Sequence, residues 1–509
     1  GTAAAGGAAG TLTVTTATNN VITLNGSPLT AAGGTGTSQG AGATINFDDP
    51  VSLATGGVTI TTGATGGDIT FDQTLNSATA QTLALTSGTG NIVFTGTVGN
   101  SDPLDAVTVN AANDVTLGNT FASAGFDQAV SGAGTTLVSG LLTSTGAVTL
   151  DAATVDIDGG IDTTTGPATI DLFASNGVSI SANVTSGDTT NINADNDNNG
   201  TGTLLVDSAA TIDTQNNTLD ITAAEINIDA ATSVTSGGTA MTITASNGVG
   251  IGLGATDVGL HISDAELGKL TASSLELITT GSGDMTVDNV SNGNSTNVNA
   301  VTLTADGTVT FANNASTFND SLIANADDGI AVNVDVNSTT GNLDFDGDAD
   351  NANDVTDSIV FTGTRTLTAS AGSIILDATG DKISSAALNL NAETGININD
   401  NLTSTGILTF DADTGGNGGD FAVADGATVN SGNNAINIDA TDFNLNTSGS
   451  LNSGNGLLTI TQAQAAGTIG LGTATKTMSI SGAEFQNITT TATGGVSSSW
   501  PAAISRYPA

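Results

Sequence analysis

The chain has 509 residues, with 49 acidic side chains against five basic ones, a net charge of −44, one histidine and no cysteine. So few cations exclude a nucleic-acid binder, because nothing could neutralise phosphates. The missing thiols and single imidazole exclude a disulfide scaffold or zinc centre, and no apolar run is long enough to span a membrane as a helix.

From the amino end, residues 1–32 read as low-complexity entry coils that already contain one alternating run, Thr11-Leu12-Thr13-Val14. Similar runs follow along the chain: Val58–Thr61, Asp68–Phe71, Val107–Val109, Val148–Leu150, Ile226–Ile228, Val301–Leu303 and Ile396–Ile398. In each, apolar residues stand two apart with Thr, Asn, Ser or Asp between them, which is the period of a strand with one buried face. Clusters such as Gly63–Gly67, Asn196–Gly202 and Gly415–Gly419 separate them as turns. High net charge and few aromatics suggest disorder, but this patterning and a 38% hydrophobic content argue for a packed all-β chain. No stretch shows a helical stripe with caps.

The long-range organisation is a duplication. Ile251-Gly-Leu253-Gly aligns with Ile469-Gly-Leu471-Gly, and Ile262-Ser-Asp-Ala-Glu-Leu267 aligns with Ile480-Ser-Gly-Ala-Glu-Phe485. Ala194-Asp195 aligns with Ala412-Asp413, and Leu85-Thr86 with Leu303-Thr304, all at an offset of 218. The expected layout is a first super-repeat over 33–250, a second over 251–496 that also starts the next, and a tail over 497–509. Strand-like runs recur about every ten residues, a spacing shared with β-sandwiches. Monotony without a composition break, scarce aromatics and like residues at equivalent positions favour a right-handed parallel β-helix, a β-solenoid of two tandem super-repeats. With about 20 residues per coil and about 4.8 Å per coil, such a chain would form a rod on the order of 120 Å long.

The segments Asp68-Ile-Thr-Phe71, Asn91-Ile-Val-Phe94-Thr-Gly-Thr-Val98-Gly-Asn100 and Leu104–Gly118 resemble large bacterial surface proteins of the filamentous-haemagglutinin type, as does the Gly-Leu-Gly…Ile-Ser-x-Ala-Glu element. The resemblance implies a secreted or surface-exposed β-helical fibre acting in adhesion, aggregation or matrix building. Neither an Asn-Pro-Asn secretion motif at the amino end nor a membrane-barrel pattern at the carboxyl end is found, so the chain reads as a segment or processed product of something longer.

Little in the sequence points to catalysis. His261 is the single histidine, and its counterpart in the second copy is Ser479, so it reads as a solvent-facing strand residue rather than a member of a Ser-His-Asp system. The cations Lys269, Arg365, Lys382, Lys476 and Arg506 are scattered singly, and the carboxylates read mostly as turn residues. A polysaccharide-cleaving site, which needs clustered cations or paired carboxylates, is therefore the least favoured reading. Calcium is the best site hypothesis. Asp346, Asp348, Asp350, Asp354 and Asp357 fall at positions one, three, five, nine and twelve of a calcium loop, with Asn351 at the sharp turn. Asp195, Asp197 and Asn199, followed by Gly200, match the first half of that pattern. Sequons at Asn183, Asn289, Asn314 and Asn401 are what an Asn/Ser/Thr-rich chain produces by chance. The tail holds the sole Trp (Trp500) and the sole Tyr (Tyr507), and reads as a linker or a docking segment.

The expected function is a structural subunit or shaft segment of an extracellular or cell-surface filament. It would extend by end-to-end coil stacking through self-association, because uncapped solenoid ends present strand edges. The alternatives are a glycan-binding adhesin acting as a monomeric rod on glycans or neighbouring cells and, behind it, an enzyme on the same scaffold.

Overall fold

A strand whose alternate residues are Val, Ile, Leu or Phe can bury one face, and Thr, Asn and Asp keep the other wet. The computed structural model describes residues 4–18, 20–26, 28–128, 134–207, 209–229, 232–352, 357–378, 383–491 and 496–498. It is 48% strand and 3% helix, and its parallel strands stack into a β-solenoid of about 17 turns. The parallel pairing decides against the sandwich.

Two compact units are formed, Gly1–Ser246 with Lys269–Ser273, and Asn247–Gly268 with Ser274–Ala509. In the first, each coil supplies strands to three faces. One face runs from Leu12–Val14 through Ile45–Phe47, Ile69–Phe71 and Ile92–Phe94 up to Glu225–Ile228. Ile45, Ile69, Ile92 and Val115 lie directly over one another, so successive coils take 24, 23 and 23 residues. In the second unit a new ten-stranded sheet begins at Ile251–Gly254 and continues through Met285–Asp288 and Val309–Phe311 to Ile488–Thr490. Coil length varies more than the repeat grammar implied. Thr136 and Val155 are 19 residues apart in register, whereas Leu343 and Ile374 are 31 apart. The extra residues leave the stack as loops, so the inward residues keep their register.

Like residues stack on like in the interior. Phe47, Phe71 and Phe94 form a ladder with ring centroids 4.9 and 5.1 Å apart and planes within 13°, and Phe121 continues it edge-on at 5.2 Å. Phe311 with Phe345, and Phe410 with Phe421 and Phe443, repeat the arrangement in the second unit. Where the chain turns a corner, fully buried hydroxyls close the turn on its own carbonyl. Ser87 donates to Gly90 O (2.8 Å), Thr163 to Ala168 O (2.8 Å), Ser186 to Asp188 O (2.6 Å), Thr279 to Gly283 O (2.6 Å) and Ser431 to Asn434 O (2.6 Å). A buried hydroxyl without an acceptor would be costly, and at these corners each carries its acceptor a few residues away. On the outside, Asn side chains reach from coil to coil, as Asn113 does to Asn91 (3.2 Å) and Asn399 to Asp377 (3.1 Å).

The structure departs from the sequence reading at two one-turn helices, α1 (Asp264–Leu267) and α2 (Gly482–Gln486). Each is closed by a capping box, Ser263 with Glu266 and Ser481 with Glu484. One turn is too short to show a hydrophobic stripe, but Ser-x-x-Glu is itself a helix-start signature. Among the described residues, no helix is long and apolar enough to cross a membrane.

Candidate functional site: the duplicated strand-helix element and the acidic loops

The duplicated element builds the same local structure twice. In the first copy the strand Ile251–Gly254 is followed by Leu260–Ile262 and α1; in the second, Ile469–Leu471 is followed by Met478–Ile480 and α2. The glycine between the apolar residues is required both times. A Cβ at Gly252 would lie 2.2 Å from Thr256 O, and one at Gly470 would lie 2.0 Å from Ala474 O.

The two copies differ in what covers them. Over the first, Met285, Thr286, Val287 and Asp288 of the next coil pair in parallel with Ile251, Gly252, Leu253 and Gly254. Asp264 of α1 accepts from Ser291 N and Oγ (both 2.8 Å) and from Asn294 Nδ2 (2.6 Å). Asp288 accepts from Thr256 Oγ1, Asn313 Nδ2, Asn314 N and Asn314 Nδ2 at 3.0–3.1 Å, which ties three levels together. Leu253 and Leu267 are consequently 1% and 0% exposed. In the second copy, Ile469–Leu471 pairs only with Met478–Ile480 among the described residues. Leu471 is 63% and Phe485 53% exposed, and with Ile480 and Gln486 they line a hollow of about 430 Å³. The sequence comparison found the duplication but could not show that, among the described residues, one copy is covered by a further coil and the other is not.

Both calcium-like motifs fall in inserted loops. Asp195 is 1% exposed and accepts the amides of Asn199 (3.2 Å) and Gly200 (2.8 Å), while Asn199 Nδ2 donates to Asp197 (2.8 Å). Burial alone would raise the pKa of Asp195, but the hydrogen bonds it accepts hold it below the usual carboxylate value. Its repeat counterpart Asp413 does the same for Asn417 N (2.6 Å), Gly418 N (3.0 Å) and Thr441 Oγ1 (2.5 Å), and its pKa is lowered too. Each carboxylate therefore clamps its own loop through these hydrogen bonds. Asp195→Asn keeps one acceptor oxygen and loses the charge, so we expect a loss of about 1–3 kcal/mol. The melting temperature should fall by the same amount in calcium and in chelator; a fall seen only in calcium would show that a cation closes the loop.

In the other loop, Asp346 accepts the amide of Asp348 (3.0 Å) and Asp350 that of Ala352 (2.8 Å). Asn351 takes a positive φ of 54°, as a sharp turn requires. Asp348 and Asp357 are buried, and Asp354 lies outside the described residues. Among the described residues, no three His, Asp or Glu side chains converge as a metal set.

His261 is less solvent-facing than expected. Its Nε2 donates to Gly254 O (2.9 Å) and its Nδ1 stands 3.9 Å from Asp257, which pins the loop of the first element. Of the cations, Arg365 Nε donates to Thr362 O (2.6 Å) and a guanidinium nitrogen lies 4.0 Å from Asp335; Lys382 and Arg506 lie outside the described residues, as do Trp500 and Tyr507.

No protein-family model matches this chain, and neither a curated protein nor a solved structure matches it.

Proposed function

We propose that the chain is a structural subunit or shaft segment of an extracellular surface fibre, extended by adding coil upon coil, with adhesion or matrix building as its biological use. The observation that carries this reading is the duplicated element. Its first copy starts a ten-stranded sheet, and its second copy builds the same strand again, paired among the described residues only with Met478–Ile480. A sequence that repeats a sheet-starting device is suited to continued growth, and a heterologous contact that does not close yields a filament. The surface location rests on the resemblance to filamentous-haemagglutinin-type proteins.

Negative-stain microscopy and sedimentation at rising protein concentration test the proposal. Filaments or a ladder of oligomers are the expected result, and a monodisperse chain at every concentration overturns it. Because each copy carries a charge of −44, assembly should strengthen as salt rises from about 0.02 to 0.3 M.

A glycan-binding rod is the second reading. It is favoured by a groove of about 530 Å³ on the first unit lined by Ser77, Thr79, Asp102, Ser123 and Thr143. A glycan-array signal from unassembled protein would support it.

A further inference from the structure

We infer that Phe173, with Asp151 and Asn193 on either side of it, forms a subsite for a neutral saccharide on the outer face of the first unit. The inference rests on the glycan-binding reading, but Phe173 is not among the residues that line the groove at Ser77 and Thr143.

Buried and outward residues alternate along four successive strands of one sheet, Val148–Ala152, Ile170–Ala174, Thr190–Asn193 and Leu219–Ala223. Every outward residue on them carries a hydroxyl, amide or carboxylate except Phe173. Of the 14 phenylalanines in the chain, all but Phe173 and Phe485 are buried. Asp151 lies in register with Phe173 on one neighbouring strand and Asn193 on the other, each one strand spacing of about 4.8 Å away. The Asp151 carboxylate accepts no hydrogen bond from another described residue, and burial raises its pKa. Asn193 Oδ1 accepts from Asp195 N (3.1 Å), but its Nδ2 donates to no other described residue. The ring is thus flanked by an acceptor and a donor with unused capacity. Asp171, the other outward residue of the same strand, is by contrast held by Asn191 Nδ2 (2.5 Å) and Thr169 Oγ1 (3.3 Å).

A pyranose ring offers C–H groups on its face and hydroxyls around its edge. The C–H face packs on the electron-rich face of the Phe173 ring, while edge hydroxyls donate to Asp151 and accept from Asn193 Nδ2. Charge narrows the class. The first Lys or Arg in the sequence is Lys269, so on these strands no cation offsets the overall charge of −44, and a uronic or sulfated sugar would meet only repulsion. A wholly apolar ligand would strip water from Asp151 and Asn193 without replacing its hydrogen bonds.

Titration calorimetry of the full chain with cellohexaose, mannohexaose and the N-acetylglucosamine hexamer tests the site. At least one of these should bind, and hexagalacturonate should not. Phe173→Leu keeps an apolar side chain on the face but removes the ring, so it should weaken binding about tenfold with the melt unchanged, and Phe173→Trp should restore binding. A purely structural role for Phe173 would not produce that pattern. Thr143→Arg, which fills the groove, should bind as the parent chain does. If Phe173→Leu binds as tightly as the parent chain, the inference falls, and a loss in Thr143→Arg then leaves the glycan reading with the groove. Binding of the deacetylated glucosamine hexamer alone, weakening as salt rises, overturns the neutral class. If none of the probes binds, the inference and the glycan reading fall together, and the fibre reading still stands on the assembly measurement.

Discussion

Phe71→Ala should be among the most damaging single changes in the first unit, while Phe485→Ala should leave its fold untouched. Phe71 is 1% exposed and sits between Phe47 and Phe94 at 4.9 and 5.1 Å. Truncation removes buried apolar area and leaves a cavity that the rigid neighbouring coils cannot close, for a cost of about 3–5 kcal/mol. In a stack where each coil contacts only its neighbours, that loss is concentrated at one junction. Amide exchange should therefore accelerate first in the coils on the amino-terminal side of residue 71, ahead of global unfolding. Uniform acceleration through the whole unit would contradict nearest-neighbour stability. Phe485 is 53% exposed, so its truncation should shift the melt by less than about 0.5 kcal/mol.

Acidification should stabilise the fold before it destabilises it. Asp151, Asp156, Asp327, Asp344, Asp346, Asp411, Asp420 and Asp439 are all raised above the ordinary carboxylate value, in each case chiefly by burial. Neighbouring acids add to this for most of them. In-register stacking sets Asp411 beside Asp439 and Asp346 beside Asp377. An acid whose folded pKa is raised opposes folding at neutral pH, and that cost disappears as pH falls through its folded value towards 3.8. Asp195, Asp288 and Asp413 have the opposite sign. Although burial works against each of them, their hydrogen bonds lower their pKa, so their contribution is present above 3.8 and is lost only as pH falls below it. The melting temperature should thus rise by several degrees between pH 7.5 and about 4.5, then drop steeply below about pH 3. Relief of self-repulsion at a net charge of −44 works in the same direction. A melt that declines steadily from pH 7.5 downward would contradict these assignments.

Local patterns carried most of the fold. Period-two alternation marks the strands, and the turn clusters mark the corners. Ile45-Asn-Phe47, Ile69-Thr-Phe71 and Ile92-Val-Phe94 even display the coil period, at steps of 24 and 23 residues, before any coordinates are considered. The helices α1 and α2 were legible only as Ser-x-x-Glu, since a single turn leaves no periodicity.

The candidate site was legible in part. Asp195–Asn199 and Asp346–Asp357 read as oxygen-rich loops, and among the described residues the chain turns at Asp195–Asp197 and Ala349–Asp350. Whether a carboxylate faces an ion or its own loop amides depends on how the backbone folds back, which composition does not encode. The different surroundings of the two copies among the described residues were the least readable feature, because Ile251-Gly-Leu253 and Ile469-Gly-Leu471 are nearly the same string.

By itself, then, the sequence determined that this protein is a stack of two-faced strands, because the alternation of apolar and polar residues is a property of neighbours along the chain. Only the tertiary structure decided which coil covers Ile251–Gly254, which acids stand in register and which carboxylates serve as clamps. Those outcomes depend on contacts between residues some twenty or more positions apart, and the lengths of the intervening loops set them.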